Sequence, residues 1–123
     1  MKTNHRRTVL VVDDEPVIRL VALHGLEDAG FEAVEAESAD VALTILRDRT
    51  DVGVLFTDVN MPGQIDGMQL AKLVHARWPG IRIVLTSGRA LTEPVPEDGK
   101  FMEKPYTVDQ LTDVIEAINT RAH

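Results

Sequence analysis

The chain has 123 residues, 44% of them hydrophobic and 27% charged, which suits one globular domain and excludes a disordered polymer. Thirteen Lys and Arg against twenty Asp and Glu leave a net charge of −7, the wrong sign for a face that grips nucleic acid directly. The lack of cysteine removes disulfides, thiolate metal sites and cysteine nucleophiles, and no apolar run reaches the roughly 18 residues of a membrane span.

Residues 1–7 read as a flexible basic tail, since Asp13 and Asp14 interrupt the apolar stretch that a signal peptide would need. A cytoplasmic location follows as an expectation. Thr8 to Val12 is a continuous, largely β-branched run, the mark of a strand buried on both faces in a parallel sheet. Pro16 fits the first position of a helix, with Ile18, Val21, Ala22, Leu26 and Ala29 at inward spacing and Gly30 as its stop. Phe31 to Ala36 reads as a second strand. Ser38 to Arg49 reads as a helix with Val41, Ala42, Ile45 and Leu46 inward. Val52 to Thr57 is a third apolar run ending at Asp58, and Met61 to Gly67 is a loop by its Pro and Gly content.

A helix from Met68 to Trp78 follows, with Leu70, Ala71, Val74 and Trp78 on one side and Pro79-Gly80 as its stop. Ile81 to Thr86 is the fourth strand. Between Gly88 and Gly99, Pro94 and Pro96 leave room for little more than one helical turn. Lys100 to Glu103 is a short fifth strand. Thr107 to Gln110 has the form of a capping box opening a last helix, with Leu111, Val114, Ile115 and Ile118 inward. Repeated strand–helix alternation implies an α/β fold whose ligand site lies at the carboxyl ends of the strands.

That edge collects the chemistry. The first strand delivers Asp13 and Asp14, the third Asp58, the fourth Thr86 and Ser87, and Lys104 follows the fifth. Crowded carboxylates need a cation, and oxygen ligands without Cys or paired His favour a hard ion such as Mg²⁺. Their crowding should raise at least one carboxylate pKa unless Lys104 offsets it. A carboxylate can also attack a phosphoryl group presented in line, with lysine and metal neutralising its oxygens.

The motifs Val11-Val12-Asp13-Asp14-Glu15-Pro16, Asp58-Val59-Asn60-Met61-Pro62 with Asp66-Gly67, Thr86-Ser87-Gly88 and Lys104-Pro105-Tyr106 resemble the receiver domain of two-component response regulators. The resemblance runs from Thr8 to Ala122, so the domain is expected over 8–122. It implies a flavodoxin-like, doubly wound sheet of five parallel strands in the order 2-1-3-4-5, with five helices of which the fourth is short or irregular. It further implies that Asp58 is the phosphoacceptor. Asp14, Asp58 and the Asn60 backbone carbonyl would bind Mg²⁺, with Asp13 acting through water and Mn²⁺ able to substitute. Lys104 would pair with the acceptor and then with the phosphoryl group. Ser87, with Thr86 as runner-up, would be the switch hydroxyl, and the Gly88 N–H a further donor. Expected partners are a sensor histidine kinase or histidine phosphotransfer protein, and downstream a protein or second copy docking on 88–101 and the last helix. Neither nucleic acid nor membrane is a direct partner, and the chain would be no enzyme beyond self-catalysed phosphorylation and dephosphorylation. A stand-alone regulator is the expected arrangement.

This sequence departs from the family pattern in a slightly longer loop before Gly67, a shorter Ser87–Lys104 segment, and Phe101 where many members have a switch tyrosine. Phenylalanine can change rotamer but has no hydroxyl to hold a partner. Plainer readings exist for each feature: Asp13 and Asp14 as helix-capping acids, Asp58 as a turn residue, Lys104 as a surface charge, Phe101 as core. Trp78 is expected to pack the end of its helix. His5, His24, His75 and His123 lack metal-ligand spacing, and Arg6 and Arg7 belong to the tail. Two other functions compete: a phosphorylation-independent binding module, disfavoured by the presence of Asp13, Asp14, Asp58 and Lys104 together, and a Mg²⁺-dependent phosphohydrolase, which would need an Asp-x-Asp-x-Thr strand end and a cap.

Overall fold

In the computed structural model, which describes residues 8–120, five strands form one parallel sheet: β1 (Thr8–Val12), β2 (Ala33–Ala36), β3 (Val52–Asp58), β4 (Arg82–Ser87) and β5 (Lys100–Glu103). Their order is β2-β1-β3-β4-β5, as the resemblance implies. Four helices connect and cover them: α1 (Pro16–Asp28), α2 (Ala39–Asp48), α3 (Gly67–Arg77) and α4 (Val108–Thr120). β1 and β3 are buried along their whole length, and β3 pairs β1 on one side and β4 on the other.

One face of the sheet packs Leu10, Val12 and Leu55 against Ala42, Leu46, Leu70 and Val74 of α2 and α3. The other packs Val9, Val11, Val54, Phe56 and Val84 against Ala22 and Leu26 of α1 and Leu111, Ile115 and Ile118 of α4. Each fully buried large aliphatic side chain contributes about 1.5–3 kcal/mol of transfer free energy, so the two layers fix the sheet and hence its edge. Trp78 packs at the end of α3 as expected.

The helix ends follow local chemistry. Pro16 opens α1. Ser38 Oγ accepts from Val41 N–H at the start of α2. Thr107 and Gln110 form the reciprocal pair expected before α4, with Gln110 N–H on Thr107 Oγ1 at 3.0 Å and Thr107 N–H on Gln110 Oε1 at 2.8 Å. An equivalent pair, Asp66 with Gln69, opens α3 at Gly67 inside the stretch read as loop.

Several expectations need correction. The fourth of five helices is absent: among the described residues, 88–99 forms only bends and turns, because Pro94 and Pro96 lack amide donors and push their predecessors toward extended backbone. β2 begins at Ala33 because Phe31 belongs to the end of α1. Gly30 has φ +97°, its N–H donates to the Glu27 carbonyl and Phe31 N–H donates to Leu26, a Schellman closure with Phe31 packed in the same cluster as Leu26. Val21 and Val41 are 51% and 38% exposed rather than inward. Ala29 is also exposed, as the C-cap of α1.

Candidate functional site

The carboxyl ends of β1, β3 and β4 meet in an acidic recess. Asp13 and Asp58 are buried, Asp14 half-buried, and a carboxylate oxygen from each lies within 4.8 Å of the others. Asp13 is held by its Oδ1, which accepts from Glu15 N–H at 2.9 Å in the turn before α1; the N-cap is Glu15, with no side-chain cap hydrogen bond, so neither Asp13 nor Asp14 caps the helix. Asn60 N–H approaches Asp58 Oδ1 at 3.3 Å. Repulsion among such carboxylates must be offset, and oxygen donors of this kind can hold a hard divalent cation.

Lys104 supplies part of the offset. Its Nζ lies 3.4 Å from Asp58 Oδ2, 3.5 Å from Asp13 Oδ2 and 3.8 Å from Glu15 Oε1, so it is not an ordinary surface lysine. Its backbone N–H donates to the Ser87 carbonyl at 2.9 Å, which ties the end of β5 to the end of β4. Burial works against charge on Lys104, but Asp58 and Asp13 outweigh it and its pKa is raised. Burial is also the main cause holding Asp58 above the ordinary carboxylate range; Lys104 opposes that shift and Asp13 reinforces it. The direction agrees with the crowding argument, although desolvation leads.

The two adjacent hydroxyls lie in different surroundings. Ser87 Oγ accepts from Asn60 Nδ2 at 2.9 Å and from Arg89 N–H at 3.0 Å. Thr86 Oγ1 is buried with no hydrogen-bond partner among the described residues, and Thr86 pairs in register with Asp58 and Met102. Gly88 is exposed beside the recess, and Phe101 on β5 is 38% exposed, its ring outside the core. His24 is exposed and His75 half-buried, whereas residues 1–7, including His5, Arg6 and Arg7, and His123 lie outside the described residues.

Three contributors carry no assigned role in the sequence reading. Arg19 Nη1 donates to the Asp13 carbonyl at 2.7 Å while its Nε pairs with Glu35 Oε1 at 2.7 Å, fixing the turn that carries the acidic pair. Gly67 lies under the recess: a Cβ there would stand 1.8 Å from the Asp58 carbonyl oxygen. Tyr106 meets Phe56 edge-on at 5.5 Å, and burial, then Asp13 and Asp58, push its phenol up to about 12. Helical phase carries a signal for Arg19, one turn after Glu15; Gly67 and Tyr106 stand in the quoted motifs, and the fold supplies the contact each one makes.

Comparison with known proteins agrees with this geometry. The family described as response regulator receiver domain matches residues 9–116. The nitrogen assimilation regulatory protein NtrX of Azorhizobium caulinodans is 32% identical over 88% of this chain, and the sensor kinase CckA of Brucella abortus is 32% identical over 88%. Those matches span 25% and 12% of the relatives, so the chain covers only a minor part of their length. Among solved structures, the receiver domain of NtrX from Brucella abortus is 31% identical with a TM-score of 0.81, over 92% of this chain and 98% of that one. No helix among the described residues is long and apolar enough to cross a membrane.

Proposed function

We propose, from the premise that this chain belongs to the response regulator receiver domain family, that Asp58 accepts a phosphoryl group from a phosphohistidine and thereby switches a protein-binding surface. The observation that carries this reading is the placement of Lys104 Nζ 3.4 Å from Asp58 and 3.5 Å from Asp13, beside carboxylate oxygens that lie within 4.8 Å of one another. An Asp58 oxygen attacks phosphorus as the phosphorus–nitrogen bond to the donor imidazole breaks. The product is an acyl phosphate, and the imidazole leaves with the bonding pair and takes a proton. Asp14, Asp58 and the Asn60 carbonyl would hold Mg²⁺, or Mn²⁺ in its place, with Asp13 acting through water; the ion supplies neutralisation of phosphoryl oxygen charge.

Asp58 must be ionised to attack, and burial works against that. Lys104 lowers the barrier to ionisation before transfer and meets the phosphoryl oxygens afterwards. Ser87 Oγ–H, with Thr86 as runner-up, and Gly88 N–H are further donors at this edge. The added phosphoryl charge of about −1.5 to −2 draws these donors toward Asp58. The reaction modifies the chain itself, which makes it a signalling step rather than turnover of a substrate.

The donor fits a surface beside the recess. Val17, Leu20 and Val21 of α1 are 73%, 45% and 51% exposed, and a shallow groove of about 230 Å³ runs between α1 and Lys104-Pro105-Tyr106. Apolar side chains grouped this way suit the helical face of a sensor kinase or histidine phosphotransfer protein. The outgoing surface is 88–101 with the α4 face, where a downstream protein or a second copy docks. The reading places the chain in the cytoplasm with that kinase.

Intact mass after incubation with acetyl phosphate and Mg²⁺ tests the reading. One phosphoryl adduct is expected, lost in Asp58→Asn with the fold retained. Asp14→Ala should weaken Mg²⁺ binding far more than Glu15→Ala. Undiminished labelling of Asp58→Asn would remove Asp58 from the central role.

A further inference from the structure

Asn60 connects the recess to the hydroxyl beside it through a contact that the phosphoryl chemistry does not use. Its backbone N–H faces Asp58 Oδ1 at 3.3 Å, while its side-chain Nδ2 donates to Ser87 Oγ at 2.9 Å. Ser87 is 1% exposed and its Oγ also accepts the Arg89 amide at 3.0 Å. A serine hydroxyl has two acceptor positions and one proton to donate. Both acceptor positions are therefore filled in this state, one by a neighbour two residues on and one from the loop that follows β3, and together they fix the side chain of Ser87.

We propose that the Asn60 side chain is a latch that holds the switch hydroxyl of Ser87 in its resting rotamer, and that breaking this bond is a cost of the switch. The proposal rests on the reading of Asp58 as the phosphoryl acceptor and deepens it by naming what opposes the response. A phosphoryl oxygen at Asp58 accepts from Ser87 Oγ–H, and the hydroxyl turns away from its resting partners to donate. Asn60 is exposed, so its freed amide is satisfied by water once the hydroxyl leaves. The latch is thus weak by construction, worth one exchangeable hydrogen bond. It acts only through Ser87, which makes Asn60 a positioning residue. The metal ligand expected from this residue is its backbone carbonyl, which any side-chain substitution preserves.

Asn60→Ala removes the latch without touching the carbonyl. Beryllofluoride with Mg²⁺, titrated as the phosphoryl mimic, should bind Asn60→Ala roughly two- to tenfold tighter than the unaltered chain, the range one net hydrogen bond spans. In a Ser87→Ala background the same substitution should change the affinity by nothing measurable. Without any mimic or metal, Asn60→Ala should shift the amide resonances of Ser87, Gly88 and Arg89 and speed exchange of the Arg89 amide. Unchanged or weaker mimic binding by Asn60→Ala would overturn the latch, as would an equal gain in the Ser87→Ala background, which would mean that Asn60 acts directly on the phosphoryl group. Unmoved amides in the metal-free protein would overturn it too. If the unaltered chain takes up no beryllofluoride, the acceptor reading fails instead, and the amide measurement still decides whether Asn60 holds Ser87.

Discussion

The turns that carry Asp13, Asp14 and Asp58 and the segment 88–99 leave the same edge of the same sheet, yet they are held by different means. The acidic turns are fixed by direct bonds: Arg19 on the Asp13 carbonyl, Glu15 N–H on its carboxylate, Val59 N–H on the Thr86 carbonyl, and Gly67 N–H on the Val59 carbonyl. Segment 88–99 has no helix. It covers Ile83, Leu85, Met68 and Ala71 with two partly buried side chains, Leu91 and Val95, closes on itself with Gly99 N–H to the Pro96 carbonyl, and reaches α3 through the exposed Lys72–Glu93 pair. A site that must hold like charges together needs rigid turns. Segment 88–99 belongs to the weakly held end of the molecule, where local opening costs least.

The largest test of this contrast uses two glycines. The Cβ of Gly67→Ala would meet the Asp58 carbonyl oxygen at 1.8 Å and its carbon at 2.7 Å, backbone atoms that cannot yield without moving the recess. A loss of about 3 kcal/mol or more in urea unfolding is expected. A Cβ on Gly88 meets nothing within 4 Å, so Gly88→Ala should stay within about 0.5 kcal/mol. Equal midpoints for the two variants would break the comparison.

Next come the apolar anchors. Leu70 is fully buried between α3 and the sheet, whereas Leu91 only partly covers its cluster. Leu70→Ala should cost about 2–5 kcal/mol, and Leu91→Ala about 1 kcal/mol. Leu91→Ala should also speed amide exchange across 88–99 while leaving β1 and β3 protected. A Leu91→Ala loss as large as that of Leu70→Ala would make the segment an integral part of the core.

Charge gives a smaller effect with a definite sign. Asp58 has a raised pKa in the folded chain, chiefly from burial, so the native state holds that proton more tightly than the unfolded state. The native state then binds more protons between the ordinary carboxylate pKa and the folded one, and stability falls as pH rises through that window. Lys104, also raised, contributes stability that is present at neutral pH and lost only above the ordinary lysine range. Asp58→Asn should therefore melt a few degrees higher than the unaltered chain at neutral pH without metal, the size of about 1 kcal/mol in a domain of this length. The gain should vanish below the ordinary carboxylate range. A gain that persists there would assign it to something other than charge.

The regular half of the molecule was the more legible half. β1 and β5 lie where their residues place them, and Asp13, Asp14, Asp58 and Lys104 converge because each stands at or just past the carboxyl end of a strand in one parallel sheet. Phe31 misled because an apolar residue after a glycine serves a helix closure as well as a strand. Val21 sits at helical spacing that fits a buried stripe, but periodicity fixes only the angle of a face and not what covers it; here it lines the groove beside Pro105 and Tyr106. The Asp66–Gln69 box has the same form as Thr107–Gln110 and was hidden by the Pro and Gly around it. The Asn60–Ser87 bond joins residues 27 apart in sequence, and no local pattern marks it.

The smallest effect concerns the pair Lys72–Glu93, which joins α3 to the segment that lost its helix. The two side chains are 54% and 47% exposed, so water and salt screen the attraction, and the pair is worth at most about 1 kcal/mol. Lys72→Ala should leave the global midpoint within error, because unfolding is governed by the two buried layers. Locally the balance differs: Leu91 and Val95 are the segment's only apolar side chains packed against that cluster, so a few tenths of a kcal/mol is a sizeable share of what closes it. Exchange of amides in 89–98 should therefore quicken a few-fold in Lys72→Ala, and the unaltered chain should approach the variant at high salt. Exchange that is the same in both proteins at low salt would mean that Leu91 and Val95 hold the segment alone, and the exposed pair would drop out of the contrast.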